Sequence, residues 1–200
     1  AVDGIDAGQY EYNFRIDGKV CLDPYVREVA GKEAFGKKRD LQKHEIRGKI
    51  VSPEYDWEND RRLHLPWNEV VAYSLHVRGF TKHSSSKVTH KGTYLGLIEK
   101  IPYLQQLGIN QIQCMPVYEF EECGKTKVNY WGYGPAHYFA PKEAYAAGNS
   151  AVHELKDMVK ECHRAGIEVV LEMPFTEGVP AQTALECLRF YMLEYHVDGF

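Results

Sequence analysis

Short apolar runs alternate with helix-like segments along most of this chain, and that alternation limits the possible folds more than any other feature. The strand-like runs are residues 70–77, 109–117, 167–171 and 197–200, and the helix-like segments between them are residues 93–107, 149–164 and 180–194. Strands that alternate with helices favour parallel βα units, and hence an α/β barrel or a doubly wound sheet. No G-x-G-x-x-G or Walker A sequence follows a strand, which weakens the case for a nucleotide-binding doubly wound sheet.

The first helix-like segment carries both a stop signal and an interruption. Residues 93–107 place apolar side chains at helical spacing, and Gly108 follows as a helix stop. Pro102 lies inside the pattern and should kink the helix, because its ring removes a backbone donor.

The N-terminal third of the chain has a different pattern. Residues 9–20 alternate between aromatic and polar side chains, which predicts a half-buried antiparallel strand with Tyr10, Tyr12 and Phe14 on the buried face. The Asp-Gly pair at residues 17–18 is typical of a hairpin turn.

A long segment without sustained periodicity follows. Residues 23–69 contain several prolines, glycines and charges, and predict a connecting segment with one short strand near residues 49–51. We therefore expect two parts: residues 1–66 as the end of a β-sandwich-like module with a linker, and residues 67–200 as the α/β part.

Composition excludes several classes of function. The net charge of −4 gives no electrostatic case for binding nucleic acid or anionic membranes, and no apolar run approaches the roughly 20 residues of a membrane helix. The five cysteines are odd in number and lack C-x-x-C spacing, so we predict neither a disulfide framework nor a zinc site. We also expect no other metal and no cofactor. Reduced thiols favour the cytoplasm, with a secreted or cell-surface protein as the alternative.

In an α/β barrel, chemistry takes place where strands end at their carboxyl side. Those positions are residues 76–78, 115–119 and 172–177. Two acids, Glu172 and Glu177, bracket Pro174 there. Five positions apart on an extended strand, their carboxyls would lie roughly 16 Å apart on opposite faces, whereas a retaining acid/base pair needs roughly 5 Å. We interpret them as solvated acids, unless a tight turn at Pro174 brings them together.

Several motifs in the expected order resemble one known family. The motifs are HVRGFTKHSSS (76–86), KGTYLGLIEKIPYLQQLGI (91–109), CMPVYEF (114–120), NYWGYGPAHYFAPKEAY (129–145) and YEYNFRIDGKVCLDPYVREVAG (10–31). Together they resemble the α-amylase superfamily of glycoside hydrolases, in its isoamylase, pullulanase and glycogen-debranching branch. The resemblance implies roughly the first half of a (β/α)8 TIM-type barrel, preceded by the end of a β-sandwich.

The resemblance also implies an activity, namely retaining hydrolysis of α-1,6-glucosidic bonds in glycogen, starch or pullulan. The family's nucleophile follows the fourth strand in the pattern Asp-Gly-Phe-Arg-x-Asp, of which this sequence contains Asp198, Gly199 and Phe200. The acid belongs to later strands. We therefore expect no catalytic residue among these 200 residues, a chain that is inactive alone, and a fragment of a longer protein. The alternative is a non-catalytic amylase-like domain that binds glucan or protein.

The resemblance suggests a sugar site with altered residues. Tyr133 matches a family position that stacks on the sugar, and Trp131 is a second substrate-binding candidate, although we favour a core-anchoring role for it. On the third strand, the family's Asp, Asn and His correspond to Glu172, Thr176 and Glu177 in this chain. A glutamate in place of that histidine only accepts hydrogen bonds when ionised. Pro174 should also remove a donor from the strand ladder.

The expected partners follow from these predictions. An α-glucan is the expected ligand if binding is retained. Because half a barrel exposes a sheet edge and apolar helix faces, we also expect self-association, with a homodimer formed through the open half-barrel.

Overall fold

The computed structural model of the protein describes residues 4–37, 46–123, 127–148 and 150–200. Within these residues, the N-terminal part contains five short strands. These strands are β1 (Glu11–Tyr12), β2 (Phe14–Ile16), β3 (Lys19–Cys21), β4 (Val29–Ala30) and β5 (Arg47–Lys49). The strands β1, β5 and β4 form an antiparallel sheet in that order, while β2 and β3 form a separate hairpin. The strand predicted near residues 49–51 is therefore present, displaced by two residues.

The hairpin turn at residues 17–18 is confirmed, but the predicted buried face is wrong. Asp17 and Gly18 both have positive φ, at 49° and 76°, as a two-residue type I′ turn requires. Tyr10 and Phe14 are about half exposed, at 49% and 47%. The chain changes partners after Tyr12, because β1 pairs with β5 whereas β2 pairs with β3. The alternation therefore does not extend along one continuous strand.

Within its described residues, the α/β part contains five more strands and five α-helices. They are β6 (Ala72–Leu75), α1 (Val77–Lys82), α2 (Tyr94–Ile98), α3 (Ile101–Gln106), β7 (Gln111–Cys114), β8 (Tyr118–Phe120), β9 (Ala136–Pro141), α4 (Ala151–Arg164), β10 (Glu168–Leu171) and α5 (Ala181–Glu194).

Three parallel strands form the centre of the α/β part. The sheet order is β10-β7-β6, with Ala72 and Glu168 both level with Gln111. The segment at Gly199 adds a fourth strand position, because its carbonyl accepts from Leu171 N at 3.1 Å. Successive strands thus lie side by side in chain order, with helices between them. This arrangement confirms the predicted partial (β/α)8 barrel.

The helix α4 covers the sheet with an apolar face. Its residues Val152, Leu155, Met158, Val159 and Cys162 are all buried, at spacings of three and four. Such spacing places the side chains on one side of a helix, where they join the main hydrophobic cluster.

The segment at residues 93–107 forms two helices rather than one kinked helix. The helix α2 ends at Ile98 and α3 begins at Ile101, with Pro102 in the first turn of α3. A proline is tolerated there, because a backbone N–H in the first turn of a helix has no acceptor within the helix, and the N–H that proline lacks is therefore not missed. The break therefore falls just before Pro102.

The segment between β7 and α4 contains two further strands. The strands β8 and β9 form an antiparallel hairpin there, with a register shift between Tyr118 and Glu119. All three residues of β8 are buried, so the segment lacks the alternation by which a half-buried strand is recognised. Pro174 also differs from expectation. Since β10 ends at Leu171, the proline lies beyond the ladder and removes no donor from it.

Two further expectations concern the surroundings of the chain. Within the described residues, no helix combines the length and the apolar character of a membrane span. In the described sheet β6 pairs on one side only, with β7. Self-association through this edge, like the domain boundary at residues 66–67, stays a prediction.

A histidine between two carboxylates joins the long N-terminal segment to the barrel. His163 at the end of α4 lies 2.8 Å from Asp60 Oδ1 through Nδ1 and 2.9 Å from Asp198 Oδ2 through Nε2. The same Asp198 oxygen accepts from Val169 N at 2.7 Å, so this contact lies at the end of the sheet opposite to Glu172. Burial alone would lower the pKa of His163, but the two carboxylates outweigh it and raise this pKa.

We expect His163→Leu to destabilise the protein by roughly 3 kcal/mol at pH 6, because it removes the imidazole that the buried carboxylates of Asp198 and Asp60 share. Asp60 keeps a second contact, since His196 Nδ1 lies 2.6 Å from its Oδ2. A base with a raised pKa stabilises the fold below its unfolded pKa and loses that contribution as pH rises through its folded pKa. The loss should therefore be smaller at pH 9. Urea unfolding at both pH values tests this, with His153→Leu on the same helix as control, because His153 contacts Tyr55 instead. Equal losses of stability for His163→Leu at pH 6 and pH 9 would contradict a protonated His163 between the two carboxylates.

Candidate functional site

The carboxyl ends of β6, β7 and β10 lie side by side, and one loop reaches over them. This loop, residues 129–135, leads into β9. It carries Trp131 and Tyr133, the two aromatic residues that the sequence suggested for sugar binding.

His76, directly after β6, fixes the start of the loop. Its Nδ1 accepts from Gly79 N at 2.9 Å, and this hydrogen bond caps α1. Its Nε2 lies 2.9 Å from Tyr130 O. Because Nδ1 is an acceptor, the proton is assigned to Nε2, which donates to the carbonyl. The imidazole also stacks on the Tyr130 ring, with 4.4 Å between centroids. Burial lowers the pKa of His76, so this neutral side chain orients the loop.

An asparagine and a glycine shape the turn that presents Tyr133. Asn129 accepts from Gly132 N at 3.1 Å and donates to Tyr133 O at 3.1 Å. Gly132 has a φ of +87°, and a Cβ there would lie 2.7 Å from the Phe120 ring. Only glycine therefore fits this position.

Tyr133 and Glu172 meet at the mouth of the barrel. The Tyr133 hydroxyl donates to Glu172 Oε2 at 2.7 Å, while 48% of the tyrosine remains exposed. The hydrogen bond to this carboxylate raises the pKa of Tyr133. On the other side, Gln113 Nε2 lies 3.5 Å from Glu172 Oε1. An exposed aromatic ring beside a carboxylate offers an apolar surface and a hydrogen-bond acceptor to one ligand.

The other three residues predicted for the site, Trp131, Thr176 and Glu177, do not share the contact between Tyr133 and Glu172. Trp131 is 51% exposed, with its ring edge-to-face against Tyr130 at 5.3 Å. Thr176 Oγ1 lies 3.2 Å from the hydroxyl of Tyr138, which is buried. Glu177 is exposed, in the turn that precedes α5. The structure thus brings Glu172 to the tyrosine platform, but not Glu177.

A shallow cleft lies next to Glu172. Its volume is about 470 Å³, and its lining includes Gln113, Glu172, Phe175, Leu188 and Phe200. The cleft is largely apolar, and Glu172, which lines it, also accepts from the Tyr133 hydroxyl.

A group of charges that is buried except for Glu121 supports the hairpin that carries this loop, and sequence reasoning missed it. The Lys142 cluster consists of Lys142, Glu119, Glu122, Lys32 and Glu121. The Lys142 side chain is fully buried; its Nζ donates to Glu119 Oε1 at 2.6 Å and pairs with Glu122. Burial raises the pKa of Glu119 despite this ammonium. Three glutamates within four positions after a buried strand were the available signal.

The N-terminal part contacts the same hairpin through Phe35 and Gly36. The Phe35 ring stacks against Tyr145, with 6.2 Å between centroids, and the Arg78 guanidinium lies 4.5 Å above it. Gly36 N donates to Glu122 Oε2 at 2.7 Å. Phe35 also contacts the loop itself, because its ring lies edge-to-face against Tyr130 with 6.0 Å between centroids.

Comparison with known proteins identifies the family. The model of the alpha-amylase catalytic domain matches residues 75–176, which begins at the last residue of β6 and includes β7, β10 and the Tyr133 loop. Among solved structures, an alpha amylase from Salmonella typhimurium superposes with a TM-score of 0.72 at 26% identity, covering 99% of this chain and 35% of that one. Pullulanase type I from Bacillus subtilis str. 168, complexed with maltose, gives 0.72 at 23% identity, over 98% of this chain and 35% of that chain.

Two curated relatives are an isoamylase and a glycogen operon protein. Isoamylase 1, chloroplastic, of Arabidopsis thaliana is 32% identical over 265 residues, which takes in 94% of this chain and 34% of the relative. The glycogen operon protein GlgX homolog of Haemophilus influenzae is 31% identical over 100% of this chain and 40% of its own length. The chain thus spans about a third of these relatives. The 265 matched residues exceed the 200 of this chain, so the Arabidopsis relative contains residues that this chain lacks within the matched region. On these comparisons and the half-barrel, the chain belongs to the alpha-amylase catalytic-domain family.

Proposed function

We propose that this chain forms the glucan-binding first half of a debranching-type α-glucan hydrolase barrel, with Tyr133 as its sugar platform. The observation that carries the proposal is the half-exposed Tyr133 ring, held at the strand ends by its hydrogen bond to Glu172. A flat ring complements the apolar C–H face of a glucosyl unit. Trp131, also half exposed, is the second candidate contact.

The proposal extends to the reaction of the whole protein. The names of the relatives, isoamylase and glycogen operon protein, support hydrolysis of α-1,6 bonds in glycogen, starch or pullulan. We infer that the 200 residues alone bind without hydrolysis. Of the two acids at the described end of the third strand, Glu172 is engaged by Tyr133 and Glu177 lies in an exposed turn. Neither is arranged as the close carboxyl pair of a retaining enzyme.

A non-catalytic amylase-like domain that binds glucan or protein is the second candidate function. It is favoured by Glu172, Thr176 and Glu177, which stand where the family resemblance implies Asp, Asn and His. Hydrolysis of α-glucan by a longer protein that contains this sequence would exclude the non-catalytic function. A cytoplasmic location stays a prediction, and the name of the Arabidopsis thaliana relative places that protein in the chloroplast.

Removing the platform tests the proposal. We expect Tyr133→Ala to weaken binding of maltoheptaose about tenfold, since aromatic stacking contributes on the order of 1 kcal/mol. Isothermal titration calorimetry gives the affinity, and a reducing-sugar assay with pullulan should show no release by the wild-type chain.

The matched control is Tyr10→Ala, because Tyr10 is exposed to the same extent, 49% against 48%, but lies in the N-terminal part. This variant should bind like wild type. Equal affinities for wild type and Tyr133→Ala would contradict the platform, and reducing sugar released by the wild-type chain would overturn the proposed lack of hydrolysis.

A further inference from the structure

The contact between Glu172 and Tyr133 joins two segments that are 39 residues apart in sequence, at 2.7 Å between oxygens. Glu172 has a fixed backbone, because its N–H donates to Cys114 O at 2.9 Å and so continues the pairing of β10 with β7. The carboxylate is therefore anchored to the sheet, whereas Tyr133 belongs to a loop.

Both ends of Tyr133 are held. Its backbone carbonyl accepts from Asn129 Nδ2 at 3.1 Å, and its hydroxyl donates to the carboxylate. A hydrogen bond from a phenol to an ionised acid is charge-assisted, and such bonds are shorter and stronger than those between neutral groups. The ring is restrained along its long axis, yet about half of the residue remains exposed. A restrained side chain loses less conformational entropy when a ligand binds to it.

We propose that Glu172 is a positioning residue, which holds the Tyr133 ring in the orientation that presents its face to an α-glucan. This inference rests on the proposed glucan-binding function. Glu172 acts through Tyr133 rather than on the bond that a complete enzyme would cleave. The raised pKa of Tyr133 agrees with this contact.

Variants of the acceptor separate this role from others. Glu172→Met removes the acceptor at similar length, and Glu172→Gln keeps an acceptor oxygen without the charge. We expect Glu172→Met and Tyr133→Phe each to weaken maltoheptaose binding three- to tenfold, and Glu172→Gln to restore affinity to within about twofold of wild type. Thermal unfolding confirms that each variant is folded.

The double variant Glu172→Met/Tyr133→Phe distinguishes positioning from direct sugar contact. If Glu172 acts through the tyrosine, the double variant should bind no more weakly than either single variant. If the two losses multiply, Glu172 acts on the sugar independently and the inference is overturned.

A second readout does not depend on glucan. NMR titration of tyrosine labelled at Cζ gives the pKa of Tyr133, whose resonance is assigned by its loss in Tyr133→Phe. This pKa should fall toward its ordinary value in Glu172→Met. An unchanged pKa would overturn the inference even if glucan binds. A lowered pKa together with no glucan binding by wild type would instead reject the proposed function.

Discussion

Replacing Lys142 by methionine should destabilise the fold by about 3–5 kcal/mol, because it removes the cation from a site that excludes water. The Lys142 side chain has no exposed surface, and Glu119 beside it has none either. Two backbone contacts depend on the same geometry, since Phe120 O accepts from the ammonium and Glu143 N donates to Glu119. The hairpin β8–β9 should therefore lose its support.

Urea unfolding at pH 7 measures this loss. Lys91→Met, at an exposed position, is the control and should be near neutral. The loss for Lys142→Met should decrease as pH falls, because burial already raises the pKa of Glu119 and the uncompensated acid takes up a proton. A loss below about 1 kcal/mol at pH 7 would show that the buried ion pairs contribute little net stability.

Gly96→Ala should cost roughly 3 kcal/mol or more, because there is no space for a methyl group. A Cβ at Gly96 would lie 2.1 Å from the backbone oxygen of His90 and 3.0 Å from Thr81 Oγ1. Both atoms are held in place: Thr93 donates to the His90 carbonyl at 2.7 Å, and Gly92 N donates to the Thr81 hydroxyl at 2.8 Å. The packing of α2 against α1 should therefore be disrupted.

The control for this substitution is Gly108→Ala. Gly108 has a φ of +75° and nothing within 4 Å of an added Cβ, so the change costs only the backbone strain of roughly 1 kcal/mol. Chemical unfolding of the two variants side by side separates close packing from backbone preference. Equal losses would mean that α2 moves away from the His90 carbonyl at little cost.

The barrel elements were predictable because their signals are local. The apolar stripe of α4 repeats every three to four residues, and the buried runs that become β7 and β10 are bounded by turn residues. The exposed Phe14 and the buried hairpin strand β8 were not predictable in the same way. Each depends on which partner the strand meets, and that is set by chain segments distant in sequence.

The site was predictable as a set of residues rather than as a set of contacts. Tyr133 was identified by its motif, and Glu172 by its position at a strand end. The hydrogen bond between Tyr133 and Glu172 exists only once the loop has folded over the strand ends. The pairing of Lys142 with Glu119, 23 residues apart, likewise exists only once β8 and β9 have formed their hairpin. The assignment of Thr176 and Glu177 to family positions stays a prediction.

A crystal structure of the chain with maltoheptaose tests directly whether the strand ends and the Tyr133 loop form a glucan site. We expect a glucosyl ring stacked on Tyr133, with the hydroxyl of that tyrosine still donating to Glu172. Sugar bound elsewhere on the chain, with the Tyr133 ring uncovered, would contradict it.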